Sequence, residues 1–274
     1  MLFEGQNIII TGGAGSLGSE LARYILRETQ CRQLRLLDSN EYELFRLGKE
    51  LSDQRVRLCL GDIRDYNRVK EALSKANIII HTAALKNIEL TEDNPKEAIE
   101  TNIKGTQNIC EVAKYEQCKT VCNISSDKAV NPTSLYGATK LVGEKIIEHF
   151  AESNDRPIYY TVRPPNYYTS RGNVFEVWND QQLRGIPITV TDPLSTRFFI
   201  STDIATKFII DSLSFAERGK IYIPKGEEKS VDELAYNYND RKIIGLRRGE
   251  KLKEELFSKE ESIYIREHPT YYEL

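Results

Sequence analysis

The chain has little that would staple it covalently or draw it onto a charged surface. Its five cysteines (Cys31, Cys59, Cys110, Cys118 and Cys122) are odd in number and show no C-x-x-C or Cys/His spacing, which argues against a disulfide framework and against zinc. A reducing compartment follows, and no metal is expected. Apolar runs are short: Ile78-Ile79-Ile80 falls far below the ~20 residues a membrane helix needs. The start, MLFEGQNIII, has no basic segment and passes directly into a glycine turn, so it reads as a first strand rather than a signal peptide. With 38 Lys and Arg against 41 Asp and Glu, the net charge is −3, and no broad positive field attracts nucleic acid or an anionic membrane. A soluble, cytoplasmic protein without membrane or nucleic-acid partners is the expectation.

What is present is an alternation. Short β-branched runs recur at Asn7 to Thr11, Gln33 to Asp38, Arg55 to Leu60, Ala76 to His81, Lys119 to Ile124 and Pro157 to Val162, separated by longer amphipathic stretches. This rhythm marks parallel βαβ units. In the first of them Leu17, Leu21 and Ile25 fall at i, i+4 and i+8, one buried helical stripe, with Ser16 as an early cap. The fold class is therefore α/β, a Rossmann-like doubly wound parallel sheet. After about Pro164 the pattern changes, with helices expected near Asn173 to Gln182 and Thr202 to Phe215. Strands are expected at Ile188 to Thr191, Lys220 to Ile223 and Lys242 to Leu246, and a charged helix near Lys251 to Lys259. The expected division is a dinucleotide-binding domain over residues 1–163 and a smaller region over 164–274, some of whose strands may rejoin the first domain.

The first strand ends in Thr11-Gly12-Gly13-Ala14-Gly15-Ser16-Leu17-Gly18, a glycine turn opening a helix. Gly12 permits the tight turn, Gly15 admits a pyrophosphate to the backbone amides around Ser16 and Leu17, and Gly18 lets helix and strand pack closely. Asp38 ends the second strand, where a carboxylate accepts from ribose hydroxyls and favours NAD; it also stands where a helix N-cap would. Arg64 leaves NADP open. Asp62 and Ile63 after the third strand, and Ala83 and Ala84 after the fourth, face the same crevice. His81 reads as structural.

The chemical signal follows the fifth strand: Ser125-Ser126-Asp127-Lys128, then Tyr136-Gly137-Ala138-Thr139-Lys140 on a helix. Positions i and i+4 share a face, so the Lys140 ammonium can sit near the Tyr136 phenol and favour its phenolate, making a base usable near neutral pH.

These residues resemble the extended short-chain dehydrogenases/reductases. The strings HTAALKNIEL (81–90), SSDKAVNPTSLYGATKLVGEK (125–145), TDPLSTRFF (191–199) and IIGLRRGEKLKEEL (243–256) look like the UDP-N-acetylglucosamine 4,6-dehydratases, a likeness covering nearly the whole chain. Tyrosine at 136, where membrane-bound relatives carry methionine, points to the 5-inverting branch. The resemblance implies a tightly bound NAD or NADP regenerated each turnover, a UDP-sugar substrate and a homo-oligomer. It further implies that Tyr136 deprotonates the 4-hydroxyl with Ser126 beside it, that a neutral Lys128 takes the carbon 5 proton, and that a protonated Asp127 releases the 6-hydroxyl as water. Carbon 5 is then reprotonated from the opposite face. Asn166, Arg197, Arg247 and Glu250 are implied in holding the UDP group, Lys86 in touching the sugar, and Asn102 in supporting Lys140. Two departures stand out: Pro164-Pro165 replaces Tyr-Gly in the family's Arg-Tyr-Gly-Asn, and Arg248 replaces a proline. The rival readings are a retaining dehydratase, a 4-epimerase of a related UDP-sugar, and a dinucleotide-binding protein without turnover.

Overall fold

The computed structural model describes residues 3–153, 156–238 and 240–274. Six parallel strands form the centre of one sheet: β1 (Asn7–Thr11), β2 (Gln33–Asp38), β3 (Val56–Leu60), β4 (Ile78–His81), β5 (Thr120–Ile124) and β6 (Ile158–Val162). Between them run α1 (Ser16–Glu28), α2 (Glu41–Leu51), α3 (Tyr66–Leu73), α4 (Ile88–Asp93), α5 (Pro95–Ile99), α6 (Gly105–Tyr115) and α7 (Leu135–Ala151), with a π-helical turn, Glu100–Lys104, joining α5 to α6. Beyond β6 lie β7 (Asn166–Tyr167), α8 (Val174–Leu183), β8 (Ile188–Val190), β9 (Thr196–Ile200), α9 (Thr202–Phe215), β10 (Ile221–Pro224), β11 (Glu227–Ser230), α10 (Val231–Leu234), β12 (Arg241–Ile243), β13 (Arg266–Glu267) and β14 (Tyr271–Glu273).

The central strands are apolar on both faces, as a sheet covered by helices on both sides requires. Their one-residue alternation divides the core in two. Ile8, Ile10, Leu34, Leu36, Ile78 and Ile80 pack on one side with α1, α2 and α9. Ile9, Leu37, Ile79, Val121 and Tyr159 pack on the other with α3, α6 and α7. Leu17, Leu21 and Ile25 are buried on α1 as their spacing foretells. A third, smaller core gathers Trp178, Ile188, Val190, Val231 and Ala235.

The large sheet runs β13-β14-β10-β6-β5-β4-β1-β2-β3, so the chain turns back between β1 and β4 and opens the ligand crevice of a doubly wound sheet at that switch point. β10 joins β6 in parallel, and the last residues add β14 and β13 antiparallel at that edge. Two small sheets, β11-β9-β7 and β12-β8, stand over the crevice.

Three local readings are corrected. Ser16 does not cap α1; Gly15 is the N-cap and makes no side-chain bond. Asp38 does not cap α2; Asn40 does, accepting from the Glu43 amide. The stretch Lys251 to Lys259 is not a helix: it runs extended against β9, where Thr196 N–H donates to Leu252 O and Glu254 N–H donates to Thr196 O. Leu252 and Leu256 at i and i+4 imitate a helix stripe, but cross-chain backbone pairing wins. Among the described residues no helix is long and apolar enough to cross a membrane.

Arg163, 1% exposed, fastens this C-terminal run to the large sheet: its guanidinium donates to both carboxylate oxygens of Glu144 on α7, to both of Glu261, and to Leu256 O. Arg163→Met should lower unfolding free energy in urea by about 3–5 kcal/mol, because the buried Glu144 carboxylate loses its cation and Glu261 loses its anchor.

Candidate active site

Where β1 and β4 diverge, a cavity of about 900 Å³ opens along the carboxyl ends of the parallel strands. Gly12, Gly15, Ser16, Leu17, Asp38, Asp62, Ile63, Ala83 and Ala84 line one end. Lys86, Ser126, Lys128, Tyr136, Lys140, Asn166, Arg197, Arg247 and Glu250 line the rest. Gly18, Asn102 and Asp127 do not line it; each works from behind the wall.

The glycine turn fits a dinucleotide. Gly12 has φ +65°, and a Cβ there would lie 2.8 Å from the Ala83 backbone. At Gly18 a Cβ would collide with Gly12 O, so its role is the close packing of helix on strand. The first-turn amides of α1 have no helical acceptor and face the cavity at the positive end of the helix dipole. Asp38 accepts from the Ala14 amide (3.0 Å) and the Asn40 amide (2.9 Å), which sets its carboxylate at the crevice edge. Arg64 is engaged by Asp62 (2.6 Å) and Glu97 (2.5 Å). Asn102 clasps both backbone groups of Leu85 and donates to Thr139 Oγ1, tying the loop after β4 to α7. His81 is structural, held between the Thr11 and Thr106 hydroxyls; burial, then the Lys140 charge, push its pKa down to about 3.

Tyr136 reaches the cavity because α7 lies unusually close to the Asp127–Ala129 turn: a Cβ on Gly137 would meet Lys128 O. Burial raises the phenol's pKa, while the Lys128 charge and the adjacent Ser126 hydroxyl pull it down. Lys140 differs from the expected phenol partner: its Nζ donates to Ile124 O, and burial lowers its pKa to about 8.

Lys128 is the point where the elements meet. Its Nζ donates to Asp127 Oδ1 (3.1 Å), Asn166 Oδ1 (2.8 Å) and Glu254 Oε1 (3.0 Å), one acceptor for each N–H. Burial alone would lower its pKa, but Asp127 and Glu254 outweigh that and raise it in the ligand-free site. Asp127 is 1% exposed; burial first, then Glu254, push its pKa up to about 7. Its amide donates to Pro164 O, one point at which the unusual diproline supports the site. Arg197 is likewise engaged within the protein, donating to Thr196 O, Leu252 O and Glu250 and pairing with Glu254, while Arg247, half-exposed at the wall, pairs more loosely with Glu89 and Glu250.

Two residues escape sequence reading. Glu254 sits among the many charges of the run once read as a solvated helix, and nothing in that run distinguishes it. Arg171, on the loop after β7, crosses to the glycine turn: its amide donates to Ser16 Oγ (3.0 Å), its guanidinium to Ala14 O (2.6 Å) and Glu43 (2.9 Å), and its carbonyl accepts from Lys86 Nζ (2.6 Å). No motif marks it. Arg171→Ala should leave folding intact and speed release of a bound dinucleotide roughly tenfold, about 1.4 kcal/mol, measured by stopped-flow displacement.

The model of the polysaccharide biosynthesis protein family matches residues 8–274. An uncharacterized membrane protein of Methanocaldococcus jannaschii is 38% identical, the match covering 97% of this chain and 84% of that one. A UDP-N-acetylglucosamine 4,6-dehydratase (inverting) of Campylobacter jejuni is 33% identical, over 99% and 83%. A UDP-glucose 4-epimerase of Rickettsia bellii is 29% identical, over 100% and 84%. The X-ray structure of Pen from Bacillus thuringiensis superposes with a TM-score of 0.95 at 34% identity, over 100% and 89%. The chain therefore belongs to this polysaccharide biosynthesis family, a branch of the extended short-chain dehydrogenases/reductases that includes the UDP-N-acetylglucosamine 4,6-dehydratases.

Proposed function

We propose that the protein is a UDP-N-acetylglucosamine 4,6-dehydratase that inverts carbon 5, a hydro-lyase using NAD. The observation that carries this reading is the Ser126, Asp127, Lys128 and Tyr136 constellation, in which a hydroxyl, an amine and a phenol line the cavity and the carboxyl of Asp127 bonds to the first two from directly behind.

The glycine turn, the first-turn amides of α1 and Asp38 would hold a nicotinamide dinucleotide, which when bound supplies a hydride acceptor and donor. NAD is favoured over NADP because a 2′-phosphate would meet the Asp38 carboxylate, while the nearby Arg64 is engaged by two carboxylates. Tyr136 takes the proton of the sugar 4-hydroxyl, with Ser126 positioned to hydrogen-bond that oxygen. Once carbon 4 is a ketone, the proton on carbon 5 is acidic. Asp127 carries the proton that the departing 6-hydroxyl needs. Lys128 starts as a cation and must lose a proton before it can take one from carbon 5. Covering its exposed fifth with substrate penalises the charged amine and pushes it that way. Arg247 and Glu250, which line the cavity, would hold the UDP group, and Lys86 would meet the sugar.

Incubation with UDP-N-acetylglucosamine in deuterium oxide should yield a product lighter by one water, with deuterium at an inverted carbon 5. An unchanged mass with an inverted 4-hydroxyl would make the protein a 4-epimerase, and a retained carbon 5 would remove the inverting assignment. Tyr136→Phe should lower kcat by roughly 10²–10⁴-fold. By titration calorimetry, NAD should bind at least about tenfold more tightly than NADP, a difference of about 1.4 kcal/mol.

A further inference from the structure

Glu254 is absent from the roles above, yet it is 7% exposed, lines the cavity and contacts Lys128, Asn166 and Arg197. Its Oε1 lies 3.0 Å from Lys128 Nζ and 3.4 Å from Arg197 Nε, and its Oε2 accepts from Asn166 Nδ2 at 2.8 Å. The same Asn166 amide donates to Asp127 Oδ2 at 3.0 Å, so one side-chain amide bridges the two carboxyl groups. Two carboxyls held this close repel when both are ionised, which favours a single shared proton. Glu254 is ion-paired with two cations, Lys128 and Arg197, whereas Asp127 is ion-paired with Lys128 from a position almost sealed away from solvent, with Lys251 as a more distant charge. The charge belongs on Glu254 and the proton on Asp127.

We propose that Glu254 is a positioning residue for the elimination of water, whose carboxylate holds Lys128 in place and keeps the acid proton on Asp127. This rests on the dehydratase reading. The proton Asp127 gives to the departing hydroxyl leaves with the water, while Lys128, as the neutral amine, takes the carbon 5 proton and the C5–H electron pair forms the new double bond. Asp127 ends as a carboxylate and Lys128 as an ammonium, and solvent protons exchanging through the cluster restore the acid. The electrostatics run the same way: Glu254, despite burial, is lowered to about 2 chiefly by Lys128 and Arg197, and Asp127 is raised to about 7. The ionisable groups around Asp127 are Lys128 on its own turn, Tyr136 on α7, Tyr167 on β7, Arg197 on β9, and Lys251 and Glu254 on the C-terminal run.

The test is Glu254→Gln in the full chain, beside the wild type. Without the Glu254 charge, Asp127 ionises against Lys128, so the fall of kcat with rising pH should move at least about one unit to the acid side. At pH 7.5 kcat should drop on the order of tenfold to a hundredfold with KM changed by less than about threefold. Absorbance near 340 nm on adding sugar should persist rather than decay, because oxidation proceeds while elimination stalls; that signal also shows that the variant folds and binds. Glu254→Asp should recover part of the rate. A variant with the wild-type pH limb and transient absorbance would overturn the role of Glu254. Wild-type enzyme that removes no water would instead overturn the dehydratase reading itself.

Discussion

The site depends on the anchoring of one amine. Lys128 directs its three N–H groups to acceptors from three separate parts of the chain: its own turn after β5, β7, and the C-terminal run that carries Glu254. Four-fifths of its side chain is covered, so removing these acceptors is unfavourable and the docked C-terminal run helps to hold the wall. Docking the run and assembling the chemistry are the same event. Arg163, behind the wall, does for α7 and Glu261 what Lys128 does at the front.

The rest of the architecture divides the work. Strand ends and the α1 dipole build a wall suited to an anionic dinucleotide, with no net positive charge needed elsewhere on the protein. The small sheets bring Asn166 and Arg197 over the same crevice. Arg171 then bridges the two walls through the glycine turn. Gly137 is the quiet requirement: without its missing Cβ, α7 could not press on the Asp127 turn, and Tyr136 would stand away from Lys128.

Local signals made much of this legible in advance. The βαβ rhythm, the glycine turn and the Ser126 to Lys140 string depend on spacing along one strand or one helix, and the structure places those residues at one cavity. The illegible part is long-range. Leu252 and Leu256 have helical spacing, yet the run pairs with Thr196 more than fifty positions away. Glu254 looked like one more surface charge, and Arg171 like one more loop arginine.

By itself the sequence determined the doubly wound sheet, the glycine turn and the string of candidate side chains from Ser126 to Lys140, because each is written in contiguous residues whose periodicity survives any tertiary arrangement. Only the tertiary structure decided their charge states. Whether Lys128 is an amine or an ammonium, and which of two carboxyls keeps a proton, is set by Coulomb interactions and desolvation among residues distant in the chain, and neither can be read until the fold has brought them within about 3 Å.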